Sequence, residues 1–120
     1  WSADGELVYD SGDALEQHLA EHLPERFNID GDGVGTVDSR SDDKGPEPEG
    51  IAVGRVGDAT YAFVGLERTS AVAIFDVTRP TAAKLVDIVP LALAKDATGE
   101  PLLAVACEVT GTAILFRVQE

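Results

Sequence analysis

Residues 61–77 read YAFVGLERTSAVAIFDV, and residues 102–118 read LLAVACEVTGTAILFRV. The two stretches align without a gap at a spacing of 41 residues, with Thr69 falling on Thr110. Val64, Glu67, Thr69, Phe75 and Val77 recur as Val105, Glu108, Thr110, Phe116 and Val118. A period near 40 made of short apolar strands is the spacing of a β-propeller blade, about four strands and their turns. A single blade leaves sheet faces bare and needs neighbours. The expected fold is therefore all-β: about two propeller-type blades of antiparallel strands, with one short helix and a long acidic loop ahead of them.

Working outward from the repeat, four segments follow. Residues 1–27 read as a strand over 1–10, turning at Asp4-Gly5, then a helix from Asp13. Leu15, Leu19 and Leu23 recur on one helical face, Asp13 and Glu16 have capping-box spacing, and Pro24 stops the helix. Residues 28–50 are a polar loop rich in Gly, Asp, Ser and Pro, of a length that is usually functional or disordered. Residues 51–89 form the first blade, with strands at 51–56, 60–66, 71–77 and 84–89. Residues 90–120 form a second, shortened blade, with strands near 91–95, 101–107 and 112–118.

The chain has 9 basic and 22 acidic residues, a formal net charge of −13. Such a chain lacks the clustered Lys and Arg that a nucleic-acid partner needs. No apolar run reaches the length of a transmembrane helix. The single cysteine, Cys107, excludes an intrachain disulfide and sits in an apolar strand, the setting of a buried inert thiol.

The loop carries the chemistry. Asn28, Asp30 and Asp32 place oxygen ligands at positions 1, 3 and 5 of a calcium loop, with Gly33 at 6 and a backbone carbonyl at 7. Thr36 and Asp38 extend the candidate set. Position 12 is Ser39 rather than a bidentate glutamate, and Asp38 falls one residue short. The competing reading is a solvated acidic turn. Next, Asp42, Asp43, Glu47 and Glu49 lie in a stiff segment whose prolines restrict the residues before them. If that segment is extended, Glu47 and Glu49 project on the same side, toward a metal or toward an internal Arg or Lys. A salt bridge from Glu49 is the simpler alternative.

His18-Leu-Ala-Glu21-His22 has the form of an inverted zinc-protease motif. Its spacing puts both imidazoles on one face of the helix. No third ligand is marked, and an amphipathic helix with boundary histidines accounts for the pattern. Glu67 and Glu108 recur at one blade position, which suits a structural role at a strand end. There is no phosphate-binding glycine loop, nucleophile elbow or CxxC pair.

Residues 39–50, SRSDDKGPEPEG, followed by IAVG and TYAFVGLER, resemble the choice-of-anchor I family. These are secreted bacterial β-propeller proteins related to mesenchyme-specific cell-surface glycoproteins, and some carry the name alkaline phosphatase. The opening WSADGELVYDSGDALEQ and the closing GEPLLAVACEVTGTAILFRV are similar to the same family. The resemblance implies the C-terminal blades of a longer, exported propeller. Two departures stand out: Val89-Pro90-Leu91 replaces a second Pro-Glu-Gly, and two blades are too few for a closed ring.

The function expected from these readings is a non-catalytic secreted or surface-associated binding and scaffold module, at the cell surface or outside the cell. Its partners would be the remaining blades or a second copy of the chain. The rival is a metal-dependent phosphoester hydrolase, a phosphatase or phytase-like propeller, that uses the acidic loop with calcium.

Overall fold

The computed structural model describes residues 1–30, 36–91, 94–95, 101–107 and 112–117, the last three stretches by their backbone. The chain divides into two compact units, Trp1–Pro90 and Leu91–Glu120.

The first unit holds one helix, α1 (Ala14–His22), and a four-stranded antiparallel sheet of β1 (Pro48–Val56), β2 (Ala59–Leu66), β3 (Ala71–Asp76) and β4 (Lys84–Pro90), in spatial order β1-β2-β3-β4. Each strand pairs with the next in sequence, so the sheet is a simple meander. β1 and β2 join through Gly57-Asp58, where Gly57 has a φ of +60°. A glycine at the first central position is what a tight two-residue hairpin turn asks for. The β2–β3 turn closes with Ser70 at a φ of +49° and its N–H donating to Glu67 O at 3.1 Å.

Alternation decides what each strand buries. Ala62, Val64 and Leu66 on β2 stand opposite Phe75, Ala73 and Ala71 on β3. These residues, with Ile88 of β4, meet Leu15 and Leu19 of α1 in the core, while Val64 packs at its margin. The other face carries Tyr61, Phe63, Val72 and Ile74, which are half-buried and lie outside that core. β1 is an edge strand whose Ile51, Val53 and Val56 are exposed.

The second unit has a three-stranded antiparallel sheet of β5 (Ala94–Lys95), β6 (Pro101–Cys107) and β7 (Thr112–Arg117), in that order. Its pairing reproduces the sequence repeat. Leu66↔Ala71 and Tyr61↔Asp76 bound the β2–β3 ladder, and Cys107↔Thr112 and Leu102↔Arg117 bound the β6–β7 ladder. Every partner in the second hairpin is its counterpart in the first moved on by the repeat spacing. The β5–β6 ladder departs by one residue: Val53 pairs with Ala62, but Ala94 pairs with Leu102.

Three expectations are corrected. Residues 1–10 are not a strand. Ser2 and Glu6 close a local turn, with Ser2 N–H donating to Glu6 O at 2.8 Å, and the segment enters no ladder. It contributes Trp1, Leu7 and Tyr9 to an open cleft beside Ile51, Val64 and Phe75. The capping box does not form. Asp13 has φ −94° and ψ +18°, outside the extended region an N-cap needs, and its Oδ2 accepts instead from Gln17 Nε2 at 2.8 Å. Glu16 turns to the loop, where its Oε1 lies 2.7 Å from the position a Cβ on Gly45 would take. The loop ends at Glu47 rather than Gly50, because β1 starts at Pro48 and absorbs the extra residues as a bulge before Ile51. Pro24 does stop the helix, opening a 3-10 turn over Pro24–Arg26.

Leu19 is fully buried between α1 and the sheet. Leu19→Ala is expected to cost about 2–5 kcal/mol in denaturant unfolding followed by circular dichroism. Val53→Ala, on the exposed edge, is expected to stay within about 0.5 kcal/mol of the parent. Equal effects at the two positions would mean that α1 is not the cover of this sheet.

Candidate functional site

The loop from Asn28 to Glu47 is shaped by residues in left-handed backbone. Asn28 has a φ of +41° and Asp38 of +63°, a conformation their short polar side chains tolerate. Glu47 has a φ of +52°, which costs free energy for a longer side chain and is more unusual still before a proline. Such a residue persists only when its surroundings hold it.

They do so through both backbone and side chain. The Glu47 carbonyl accepts from Glu67 N–H at 3.0 Å. Its carboxylate accepts from Arg68 Nε at 2.6 Å and from Lys44 Nζ at 3.0 Å, with Arg40 Nη2 at 3.8 Å. Asp30 shares both guanidiniums, lying 3.3 Å from Arg40 Nη1 and 3.6 Å from Arg68 Nη1. Asp43 adds a contact to Arg40 at 3.7 Å. The loop is thereby clamped over the β2–β3 turn, which Arg26 also holds by donating to Thr69 O at 2.9 Å. The Arg68 guanidinium, and then Lys44, hold the Glu47 carboxyl below its usual pKa; Glu47 in turn raises Arg68.

The remaining candidates divide. Asn28 is buried, its Nδ2 donates to Ser41 Oγ at 2.8 Å, and its carbonyl accepts from Arg40 N–H at 3.2 Å. Its Oδ1 has no hydrogen-bond partner among the described residues. Thr36 bridges Asp30, accepting from its N–H at 3.3 Å and donating to its carbonyl at 3.2 Å. Asp38 accepts from Ser41 Oγ. Asp42 and Glu49 are exposed and make no ion pair among the described residues. Asp32, like the side chain of Cys107, lies outside the described residues.

The left-handed turn at Glu47 breaks the extended backbone that would align it with Glu49, and Lys44 and Arg68 contact Glu47. Arg40 and Arg68 are the residues that sequence reasoning missed as the centre of the loop. Arg40 lies within the acidic stretch, but Arg68 is 21 residues from Glu47, so no local sequence signal pairs them. Among the described residues no three His, Cys, Asp or Glu side chains are assembled around one metal position. Nor is any helix among them long and apolar enough to cross a membrane.

The fold is a repeat-built antiparallel β protein whose acidic loop is locked by arginines. The choice-of-anchor I domain profile matches residues 1–80, and the chain belongs to that family. Gigasin-3a of Magallana gigas is 34% identical over an alignment of 147 residues, which takes in 95% of this chain and 52% of that protein. The mesenchyme-specific cell surface glycoprotein of Strongylocentrotus purpuratus is 41% identical over 83 residues, covering 59% of this chain and 10% of that protein. The chain thus spans about half the length of the first relative and about a tenth of the second. No solved structure matches the chain.

Because its pKa is lowered in the fold, Glu47 contributes stability that is fully present above the unfolded glutamate value of about 4.3 and fades as pH falls through the folded value. Glu47→Gln is expected to unfold more easily than the parent at pH 7, with a narrower gap at pH 3. Urea midpoints of both proteins at the two pH values check this. A gap that persists undiminished into acid would show that the carboxylate charge is not what holds the loop.

Proposed function

We propose that the chain is part of a non-catalytic, surface-associated or secreted binding and scaffold module, in which its meanders stack as propeller-type blades. The observation that supports this most is the shared register of the β2–β3 and β6–β7 hairpins, residue for residue at the repeat spacing. A second support is the sheet face of Tyr61, Phe63, Val72 and Ile74, which lies outside the core of its own unit. A neighbouring sheet is the natural cover for such a face. The family membership and the name of the sea-urchin relative support a place at or beyond the cell surface.

The arginine clamp favours this reading over the phosphoester hydrolase. Metal-assisted hydrolysis needs carboxylates free to bridge cations. Asp30 and Glu47, the best placed, are committed to Arg40, Arg68 and Lys44. Hydrolysis of a generic phosphomonoester is expected to stay at the uncatalysed rate with or without calcium. Turnover that follows calcium and disappears in Asp30→Ala would establish the hydrolase instead. For calcium at Asn28, Asp30, Asp32, Thr36 and Asp38, the ion must draw Asp30 away from two guanidiniums and does without a position-12 glutamate. Binding is then weak, about millimolar. Calorimetry is expected to give a small heat that vanishes in the Asp30→Ala, Asp32→Ala double variant; no heat in the parent ends the calcium reading.

Stacking also sets an association prediction. The edge strand β1 and the sheet face outside the core invite a second copy, while a net charge of −13 repels it. Light scattering is expected to show a mass above the 12.6 kDa of one chain, rising as salt is added. A strict monomer at low and high salt, at high protein concentration, would overturn the blade-stacking proposal.

A further inference from the structure

His18 and His22 stand one helical turn apart on α1, and the fold brings a third polar group to them. Asp87 of β4 places its Oδ1 3.5 Å from His18 Nε2. The two imidazole rings lie side by side, with centroids 4.6 Å apart and planes inclined at 59°. Glu21 sits at the same corner, its Oε2 3.8 Å from His22 Nε2. Two nitrogen donors and a carboxylate oxygen, from the helix and from the strand it packs on, thus share one patch of surface.

We propose that His18, His22 and Asp87 form a binding site for zinc or a similar borderline divalent cation. The first argument is ligand chemistry. Imidazole nitrogens with one carboxylate suit zinc, whereas calcium takes oxygen ligands. The site is therefore distinct from the acidic loop in what it selects as well as in where it lies. The second argument is spacing. Zinc–nitrogen and zinc–oxygen bonds near 2.0–2.2 Å in a tetrahedron put neighbouring donor atoms roughly 3.4 Å apart. The separation of His18 Nε2 and Asp87 Oδ1 already has that value. The third is access. His18 is mostly shielded, with 18% of its side chain exposed, so its ring is held by packing. Asp87 and His22 are open to solvent at 59% and 55%, which leaves room for an incoming ion and for water as a fourth ligand.

The donors do not yet converge on one point, in keeping with the lack of any assembled triad among the described residues. Binding requires the exposed His22 ring, whose Nε2 lies 3.8 Å from Glu21 Oε2, to rotate toward the His18–Asp87 pair. Glu21 then becomes the acceptor that orients the His22 ring, as carboxylates commonly do for metal-bound histidines. Bound there, the ion fastens α1 to β4, the edge strand on which the helix rests.

The test uses the full 120-residue chain. Titration with zinc chloride in a phosphate-free buffer, followed by calorimetry, is expected to give one ion per chain. His22→Ala and Asp87→Asn are each expected to weaken binding by at least about tenfold, the loss typical of a metal-site residue. Both positions are exposed, so circular dichroism of the variants should match the parent. Asp30→Asn should bind as the parent does, and a millimolar excess of calcium should not compete. If His18 and Asp87 form only an ion pair, zinc gives no heat. No heat, a heat unchanged in both variants, or a heat lost in Asp30→Asn overturns the proposal.

Discussion

Glu47 sits at φ +52° immediately before Pro48, and three cationic side chains converge on its carboxylate. Much of the first unit depends on this one residue. Its backbone turn ends the loop and aims the chain into β1. Its carbonyl and carboxylate fix the β2–β3 turn from outside through Glu67 and Arg68. A surface ion pair between two mobile side chains contributes little. This one differs because Glu47 and Arg40 are each only 17% exposed and several charges share the network. Without the clamp, nothing described would offset the strain of a non-glycine residue in left-handed backbone.

The second governing constraint is that a four-stranded sheet has two faces and this unit has one helix. α1 and its leucines cover the face of Ala62, Leu66, Ala73 and Phe75. Three of the eight buried core residues, Ala62, Ala71 and Ala73, are alanines on β2 and β3, so Leu66, Phe75 and Ile88 supply most of the bulk that meets the helix leucines. The opposite face, with larger residues such as Phe63 and Ile74, lies outside that core.

The strands were legible because the repeat and the turn residues agreed. Gly57-Asp58 marks a hairpin by sequence alone, and the alternation of Ala71, Ala73 and Phe75 with Val72, Ile74 and Asp76 fixes the faces. The opening segment was not legible. Leu7 and Tyr9 alternate as a strand would, but alternation states which side chains are apolar and is silent on whether a ladder partner exists. The capping box failed for a related reason, since Glu16 turns toward Gly45 of a distant loop. Within the loop, the acidic residues were visible and their counter-ions were not. Arg68 is 21 residues from Glu47 in sequence and meets it only once β2 has formed. Asp87 lies farther still from His18 in sequence, so a helix pattern alone could not pair them.

The identical registers of the β2–β3 and β6–β7 hairpins also bear on how the chain folds. Two ladders with the same geometry are interchangeable as templates, so either inner strand could pair with the other's partner on the way to the native state. Repeat proteins misassemble by this route. Only five of the seventeen aligned positions are identical, and Phe63 faces Ile74 where the second hairpin has Ala104 and Leu115. A crossed hairpin would keep its backbone hydrogen bonds and lose its packing. The divergence between the repeats thus acts as an address that keeps each strand with its own partner.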